Sequence, residues 1–336
     1  MSPSVDLNPS ISSATENYLE SVALARSQNT ARTYRNALSF FLQVLAQHNH
    51  SPKYDPISEL PEDAISWFAA ALKGYAPATE RLYLTAAISF FEYLAAERLA
   101  DVNLPRVRLL VRQRARRPGQ RLPQFSRNSI EDVVNYAINI VELPADTEPE
   151  RLRNLRDRAF LITLADSGLR VHEACGLRRG DIDWREGRAV IIGKGDQQAV
   201  VRFSRRALNA LRDYLAARAA LDGASGRPLA SLPIFARHDR GAGTKVKPIT
   251  TATGRNIVNQ RVREALGLSA EDEEMVDAIT PHSFRHFFVT TVLRGSGGNL
   301  KLAQELARHK NIAVTQRYAH LSDDELDQGY WEIFEK

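Results

Sequence analysis

Between Gly187 and Phe203 the chain reads GRAVIIGKGDQQAVVRF. Two short runs rich in β-branched residues flank Gly193, Lys194, Gly195 and Asp196, an order that predicts a β-hairpin. The text around it reads as helix. Upstream, NSIEDVVNYAINIV and LRNLRDRAFLITLADSG have helical texture, and the second ends at Gly168, a residue suited to the left-handed turn that closes a helix. Downstream, helices are expected in RRALNALRDYLAARAAL, TTATGRNIVNQRVREAL, TPHSFRHFFVTTVLRGSG and NLKLAQELARH. The Gly- and Pro-containing text from Asp222 to Pro248 reads as a long connection, and SAEDEEMVDA as an acidic surface loop. The expected fold class is mainly α with a small β-sheet (α+β).

The N-terminal third is helical throughout. TARTYRNALSFFLQVLAQH places Tyr34, Leu38, Phe41 and Leu45 at intervals of three and four, after Asn29 or Thr30 as N-cap. PEDAISWFAAALKG opens on Pro61 and stops at Gly74, and ATERLYLTAAISFFEYLAAERL spaces Leu84, Ile88, Phe91 and Leu94 in the same way. With Ser12 to Arg26 this makes a four-helix domain over residues 1–105. Then the composition changes. From Asn103 to Ile130 no acidic residue occurs, while Arg106, Arg108, Arg112, Arg114, Arg116, Arg117 and Arg121 crowd together ahead of Pro123. Residues 106–123 are expected to be a basic interdomain linker that contacts DNA phosphates, the plainer alternative being a solvated loop of mutually repelling charges. The second domain would span 124–336.

The chain of 336 residues, 43% of them hydrophobic, is long enough for two ordinary cores. No long uncharged apolar run and no signal-like start occurs, so neither export nor a membrane is expected. One cysteine, Cys175, excludes an internal disulfide and a multi-cysteine zinc site, in keeping with a reducing cytoplasm. A formal net charge of +5 favours polyanionic partners, although many enzymes are as basic.

Taken singly, the polar residues of the second domain have bland explanations. Arg170 lies between a helix that has just ended and the start of RVHEACGL, which suits a fixed anion contact; it could equally pair with Glu173 one turn on, an interaction worth little at a surface. Lys194 could be a solvated turn lysine. His282 and Arg285 share one side of a helix, where a histidine beside apolar neighbours is more often structural than catalytic. His309 falls near a helix end that favours it anyway, and Tyr318 could be an ordinary half-buried aromatic.

Together the motifs say more. SGLRVHEACGLRRGDID, GKGDQQAVVRF, TPHSFRHFFVT and ARHKNIAVTQRYAH, in that order and spacing, resemble the tyrosine recombinase family of phage integrases and Xer-type proteins. The likeness is strong from about Leu155 to His320 and rests on helical pattern and the arginine run before that. It implies a helical core-binding, SAM-like DNA-binding domain followed by a mixed catalytic domain. Position by position, it implies that Arg170, Lys194, His282, Arg285 and His309 form the active-site set, with Tyr318 as nucleophile; on chemical grounds Glu173 would orient Arg170 from behind. One position departs: relatives usually have a small residue, often glycine, where this chain has Arg308.

The set suits the chemistry. Cleaving a phosphodiester needs a nucleophile, charge relief on two non-bridging oxygens, a base for the nucleophile and an acid for the leaving 5′ oxygen. Arg170 and Arg285 offer permanently charged forks that match phosphate oxygens, each preorganised donor being worth roughly 3–4 kcal/mol in the transition state. His309 would add a hydrogen bond, His282 would assist proton removal, and Lys194 would protonate the leaving oxygen. The product in family terms is a 3′-phosphotyrosyl link that keeps the bond energy, so no ATP, metal or other cofactor is expected. The expected partners are duplex DNA bearing a specific site and three further copies of the chain, in a tetramer assembled on DNA from a protein that is monomeric when free. In the tail, Leu326, Tyr330, Trp331 and Phe334 could form one apolar face, either folded back on its own domain or docked on a neighbour. Accessory proteins are not specified by the sequence. Two other readings compete: a type IB topoisomerase-like enzyme sharing the nucleophile chemistry, and a non-catalytic DNA-binding regulator in which LADSGLRVHEACGLRRGDID is a helix-turn-helix.

Overall fold

The computed structural model describes residues 8–116, 127–192, 198–239, 241, 245–269, 272 and 279–316. The chain divides into two compact units, Met1–Gln120 and Arg121–Lys336.

The first unit holds five α-helices: α1 (Ile11–Ala25), α2 (Gln28–Gln47), α3 (Ala64–Ala71), α4 (Pro77–Ala96) and α5 (Leu104–Arg114). The stripes read from the sequence turn inward, with Leu38, Phe41, Leu45, Leu84, Phe91 and Leu94 buried in one core and Tyr34 and Ile88 packed at its edge. Helix α2 begins earlier than expected. Its cap is Ser27, whose hydroxyl accepts the Thr30 amide at 3.3 Å, so Asn29 and Thr30 lie inside the first turn.

Helix α5 corrects the expected linker. Asn103 caps it, accepting the Arg106 amide at 3.0 Å, and Val107 is fully buried, with Leu104, Leu110 and Val111 packed around it. The arginine run hides this apolar stripe at helical spacing. Several of its arginines are held by carboxylates of the same unit: Arg106 by Glu62 (2.6 Å) and Asp63 (2.8 Å), Arg108 by Glu92 (2.6 Å), and Arg116 by the buried Glu80. Burial alone would raise the Glu80 pKa; Lys73 and Arg116 outweigh it and bring the carboxyl down to about 2. Arg112 and Arg114 are exposed, and neither guanidinium has a carboxylate partner among the described residues. Arg117 and Arg121 lie outside the described residues.

The second unit is built around α7 (Glu148–Ser167), which is buried along most of its length. Helices α6 (Arg127–Asn139), α9 (Arg205–Ala217) and α12 (Pro281–Gly295) pack against it. Between α8 (Val171–Gly176) and α9 lies an antiparallel sheet in the order β1 (Ile182–Asp183), β2 (Arg188–Ile192), β3 (Gln198–Arg202). The two β-branched runs pair as strands, as expected. Ala189 pairs with Val201 and Ile191 with Ala199, placing Ala189, Ile191 and Val201 in the core and leaving Val190, Ile192 and Val200 exposed. The short β1 is an addition the sequence did not announce.

The stretch from Asp222 to Pro248 is a long and largely irregular connection, as expected, but part of it enters the core. After α10 (Ala219–Gly223), Ile234 and Phe235 are fully buried in the core, the Phe235 ring edge-on to Phe160 of α7. Arg218, itself without exposure, holds this stretch: it donates to Asp222 (2.9 Å) and to the carbonyls of Pro233 (2.7 Å) and Ile234 (2.8 Å). A buried ion pair of this kind interrupts the hydropathy pattern from which cores are read. Helix α11 (Thr251–Leu266) follows, tied to α7 by Arg261, which donates to Asp157 (2.8 Å) and Asn154 (2.7 Å). Two helices complete the described part, α13 (Leu300–Ala307) and α14 (Ile312–Gln316). No described helix is long and apolar enough to cross a membrane.

Candidate active site

The site grows from the end of α7. Gly168 closes that helix in the left-handed conformation, φ 59°, and the next residues swing the chain into α8. Arg170 is the N-cap of α8, and its amide donates to the Glu173 carboxylate at 2.8 Å while its guanidinium donates to the other oxygen at 2.8 Å. Glu173 is almost wholly covered, whereas Arg170 keeps 45% of its side chain exposed. The expected pairing therefore exists, and it fixes the base of an arginine whose face stays open.

Helix α12 brings in the second arginine. Thr280 caps it, Pro281 occupies the first turn, and Phe284 and Val289 bury one face. That packing forces Arg285 inward to 2% exposure. Its guanidinium spans two main-chain ends: Nη1 donates to the Gly168 carbonyl at 2.5 Å, and Nη2 donates to the Ala307 carbonyl at the end of α13. Both acceptors are carbonyls left over at helix C-termini. One side chain thus joins the ends of α7 and α13.

After Ala307 the chain reverses through Arg308, which takes φ 56°, a left-handed conformation costing a non-glycine residue about 1 kcal/mol. Its Nη2 donates to the Gly168 carbonyl (3.2 Å) and to Glu173 (3.1 Å). The reversal presents His309, whose amide donates to the Gln304 carbonyl (3.0 Å) and whose Nδ1 lies 2.9 Å from the buried Thr315 hydroxyl. In the tautomer in which Thr315 donates to Nδ1, Nε2 carries the proton and is the donor a phosphoryl oxygen would take.

The electrostatics follow from crowding three guanidiniums together. Burial first, then Arg285 and Arg170, lowers the pKa of His282. Burial with Arg285 and Arg170 brings His309 down to about 4, and burial with His282 and His309 does the same to His286. All three imidazoles are neutral at pH 7. Glu173 is held below the usual carboxylate range because the Arg170 amide and Arg308 outweigh its burial. Cys175 is buried, which pushes its thiol up to about 12 and leaves it inert at neutral pH.

Of the expected set, Arg170, Glu173, His282, Arg285 and His309 therefore converge on the loop at Gly168. Lys194, Tyr318 and the tail residues Leu326, Tyr330, Trp331 and Phe334 lie outside the described residues. Two residues escaped the sequence reading. His286 stacks edge-on against His282 with ring centroids 4.3 Å apart, and its spacing of four from His282 was the available signal. Arg308 stood out only as a departure. Among the described residues no group of three or more His, Cys, Asp or Glu side chains is placed to hold a metal ion.

This arrangement agrees with the comparisons. The phage integrase family matches residues 134–325, more than half of the chain. The chain belongs to that family. The tyrosine recombinase XerC of Thermodesulfovibrio yellowstonii is 29% identical over 94% of this chain and 93% of the relative, and XerC of Rhodospirillum centenum is 31% identical over 90% and 81%. The family member described here is thus a tyrosine recombinase of the Xer type. Among solved structures, the Tn1549 transposon integrase in complex with transposon right-end DNA superposes with a TM-score of 0.66 over 97% of this chain and all of that one, at 15% identity. At that identity the likeness speaks for the fold.

Proposed function

We propose that this chain is a site-specific DNA recombinase that cleaves and rejoins strands through a 3′-phosphotyrosyl intermediate formed on Tyr318. The observation that carries this reading is the Arg285 guanidinium, which binds the Gly168 and Ala307 carbonyls and so joins the turn that leads to Arg170 to the turn that leads to His309. Family membership supplies the reaction class. Tyr318 lies nine residues after His309 in the same motif.

In the proposed step the Tyr318 phenolic oxygen attacks phosphorus and the bond to the 5′ oxygen breaks. The phenolic proton passes to His282, neutral at pH 7 and so able to accept it. Lys194 gives a proton to the leaving 5′ oxygen. Arg170, Arg285 and His309 take up charge on the non-bridging oxygens. The phosphotyrosyl bond keeps the energy of the bond it replaces, and the 5′ hydroxyl of a second strand reverses the step. The partners are duplex DNA with a specific site and further copies of the chain, four on a pair of sites, assembled on DNA from free monomers. The place of action is the cytoplasm, at the nucleoid, and the biological outcome is integration or excision of an element or resolution of DNA dimers.

The test uses a nicked suicide duplex carrying the sequence that the wild-type protein selects from a randomised pool. A covalent adduct with a free 5′ hydroxyl on the released strand is expected, lost in Tyr318→Phe. An adduct that survives Tyr318→Phe, or none with wild type, defeats the reading. Site-independent relaxation of supercoiled plasmid would favour the topoisomerase-like alternative.

A further inference from the structure

Arg308 is where this chain departs from the pattern it resembles, and the structure gives the departure chemical content. The backbone there takes φ 56°, which glycine adopts freely and arginine does not. The side chain nevertheless runs inward and is 10% exposed. Nη2 is spent on Gly168 and Glu173. Nη1 is covered from solvent and has no hydrogen-bond acceptor among the described residues. A buried guanidinium nitrogen left unsatisfied is costly, and an acceptor brought in by a ligand would satisfy it.

Charge identifies that acceptor. Among the described side chains that meet at Gly168, Arg170, Arg285 and Arg308 carry three positive charges and Glu173 one negative. Burial pulls Arg308 below its usual pKa, yet a guanidinium stays protonated at neutral pH. The imidazoles of His282, His286 and His309 are neutral at pH 7. The balance is two positive charges. A phosphodiester brings one negative charge, and attack by the phenolic oxygen, whose proton passes to His282, raises the charge on the phosphoryl group in flight to two. Without Arg308 the arginines and Glu173 would hold one compensating charge beside the His282 imidazolium.

We infer that Arg308 is a third guanidinium of the active site, whose Nη1 donates to the scissile phosphate when the phosphodiester enters, while Nη2 keeps Glu173 and the Gly168 carbonyl in place. The inference rests on the strand-cleavage reading above and deepens it. A glycine at 308 would ease the turn; the arginine accepts a strained backbone in exchange for a donor.

The experiment compares wild type, Arg308→Asn and Arg308→Gly in single-turnover adduct formation on the selected suicide duplex. The scissile linkage is either an ordinary phosphodiester or a methylphosphonate, in which a neutral methyl replaces one charged oxygen. Asn and Gly both tolerate the left-handed turn, so both variants should fold. On the phosphodiester a fall of about 100-fold is expected for each; on the methylphosphonate, where less charge needs a partner, the variants should lag wild type by less than about tenfold. Wild-type rates on the phosphodiester, an equal loss on both substrates, or variants that do not fold would overturn the proposal. If wild type itself forms no adduct, the cleavage reading is what fails, a result separable from any property of Arg308.

Discussion

Gly168 and Arg285, 117 residues apart in sequence, are joined directly: the Arg285 guanidinium donates to the Gly168 carbonyl. The same carbonyl accepts Arg308. A single peptide group at the end of α7 is therefore the anchor for two cations of the site, and its orientation depends on Gly168 holding φ 59°.

That dependence makes Gly168→Ala a sharp test. An alanine must take the left-handed conformation, and its Cβ would fall 2.8 Å from the Phe288 Cε1 atom, closer than real contacts allow. Strain and overpacking together should cost about 3 kcal/mol. In a unit of this size that lowers the thermal midpoint by about 6–12 °C, and calorimetry would show it. Protein that remains folded should still lose most of its cleavage rate, because the carbonyl that seats Arg285 is displaced. An unchanged midpoint with full activity would show that Phe288 yields freely.

Glu173 should behave as a buried counter-ion with a graded response. Glu173→Gln keeps an oxygen for the Arg170 amide but removes the charge shared by Arg170 and Arg308; Glu173→Ala leaves the largely buried Arg308 without its carboxylate, a situation that costs about 3–5 kcal/mol. The expected order in both thermal midpoint and cleavage rate is wild type, then Gln, then Ala. The sign with pH follows from its lowered pKa: the folded protein holds Glu173 ionised more firmly than the unfolded chain does. Its contribution is present above about pH 4.5 and fades as pH falls through the folded value. Midpoints of wild type and Glu173→Gln should therefore converge in acid, and parallel curves down to low pH would contradict the assignment.

How much of this was legible beforehand varies with the physics of each element. The strands of Gly187–Phe203 were legible because two β-branched runs flanking a Gly-containing turn are a local signal, whereas which face turns inward was not, since Val190, Ile192 and Val200 are as apolar as the buried Ala189, Ile191 and Val201. Helix α5 was not, because its four arginines mask a stripe anchored by Val107. The stretch holding Ile234 and Phe235 was not, because the groups that tether it, Arg218 and Asp222, are charged residues read by default as surface. In the site, motif order placed Arg170, Glu173, His282, Arg285 and His309, and the structure gathers them at Gly168. What the motifs could not carry was that Arg285 binds two carbonyls contributed by segments far apart in sequence, or that Arg308 turns inward. Those are facts of tertiary packing.

The arginines of α5 should separate by salt dependence. Arg106 and Arg116 are held by carboxylates of their own unit, whereas Arg112 and Arg114 are exposed and have no such partner among the described residues. Arg112→Ala and Arg114→Ala are expected to weaken binding to duplex of any sequence and each to reduce the slope of log affinity against log salt by about 1, with little effect on the thermal midpoint. Arg116→Ala should do the reverse, lowering the midpoint by uncovering Glu80 while leaving the slope nearly unchanged. Fluorescence anisotropy over a salt series with parallel melting curves reads both. Equal slopes for all three single alanine variants would mean that the ion pair of Arg116 opens on DNA.

The histidines of the second unit predict its acid limit. His286 and His309 lie near 4, and His238 is lowered further, to about 3, by burial and by Arg156 and Arg218, while its Nε2 lies 2.7 Å from the Tyr214 hydroxyl. In the unfolded chain all three titrate near 6.5. The folded state therefore binds fewer protons below that value, so stability is full above about pH 6.5 and declines as pH falls toward 4. Each histidine contributes about 1.4 kcal/mol per pH unit within that window. His238 sits away from the active-site cluster, in contact with Tyr214 beside the tethered stretch. His238→Gln should accordingly flatten the decline by about one histidine's share while leaving strand cleavage at pH 7 unaltered. Urea titrations at a series of pH values measure the slope directly. A slope that His238→Gln does not change would mean that His238 titrates alike in the folded and unfolded states, and that the acid limit belongs to the site itself.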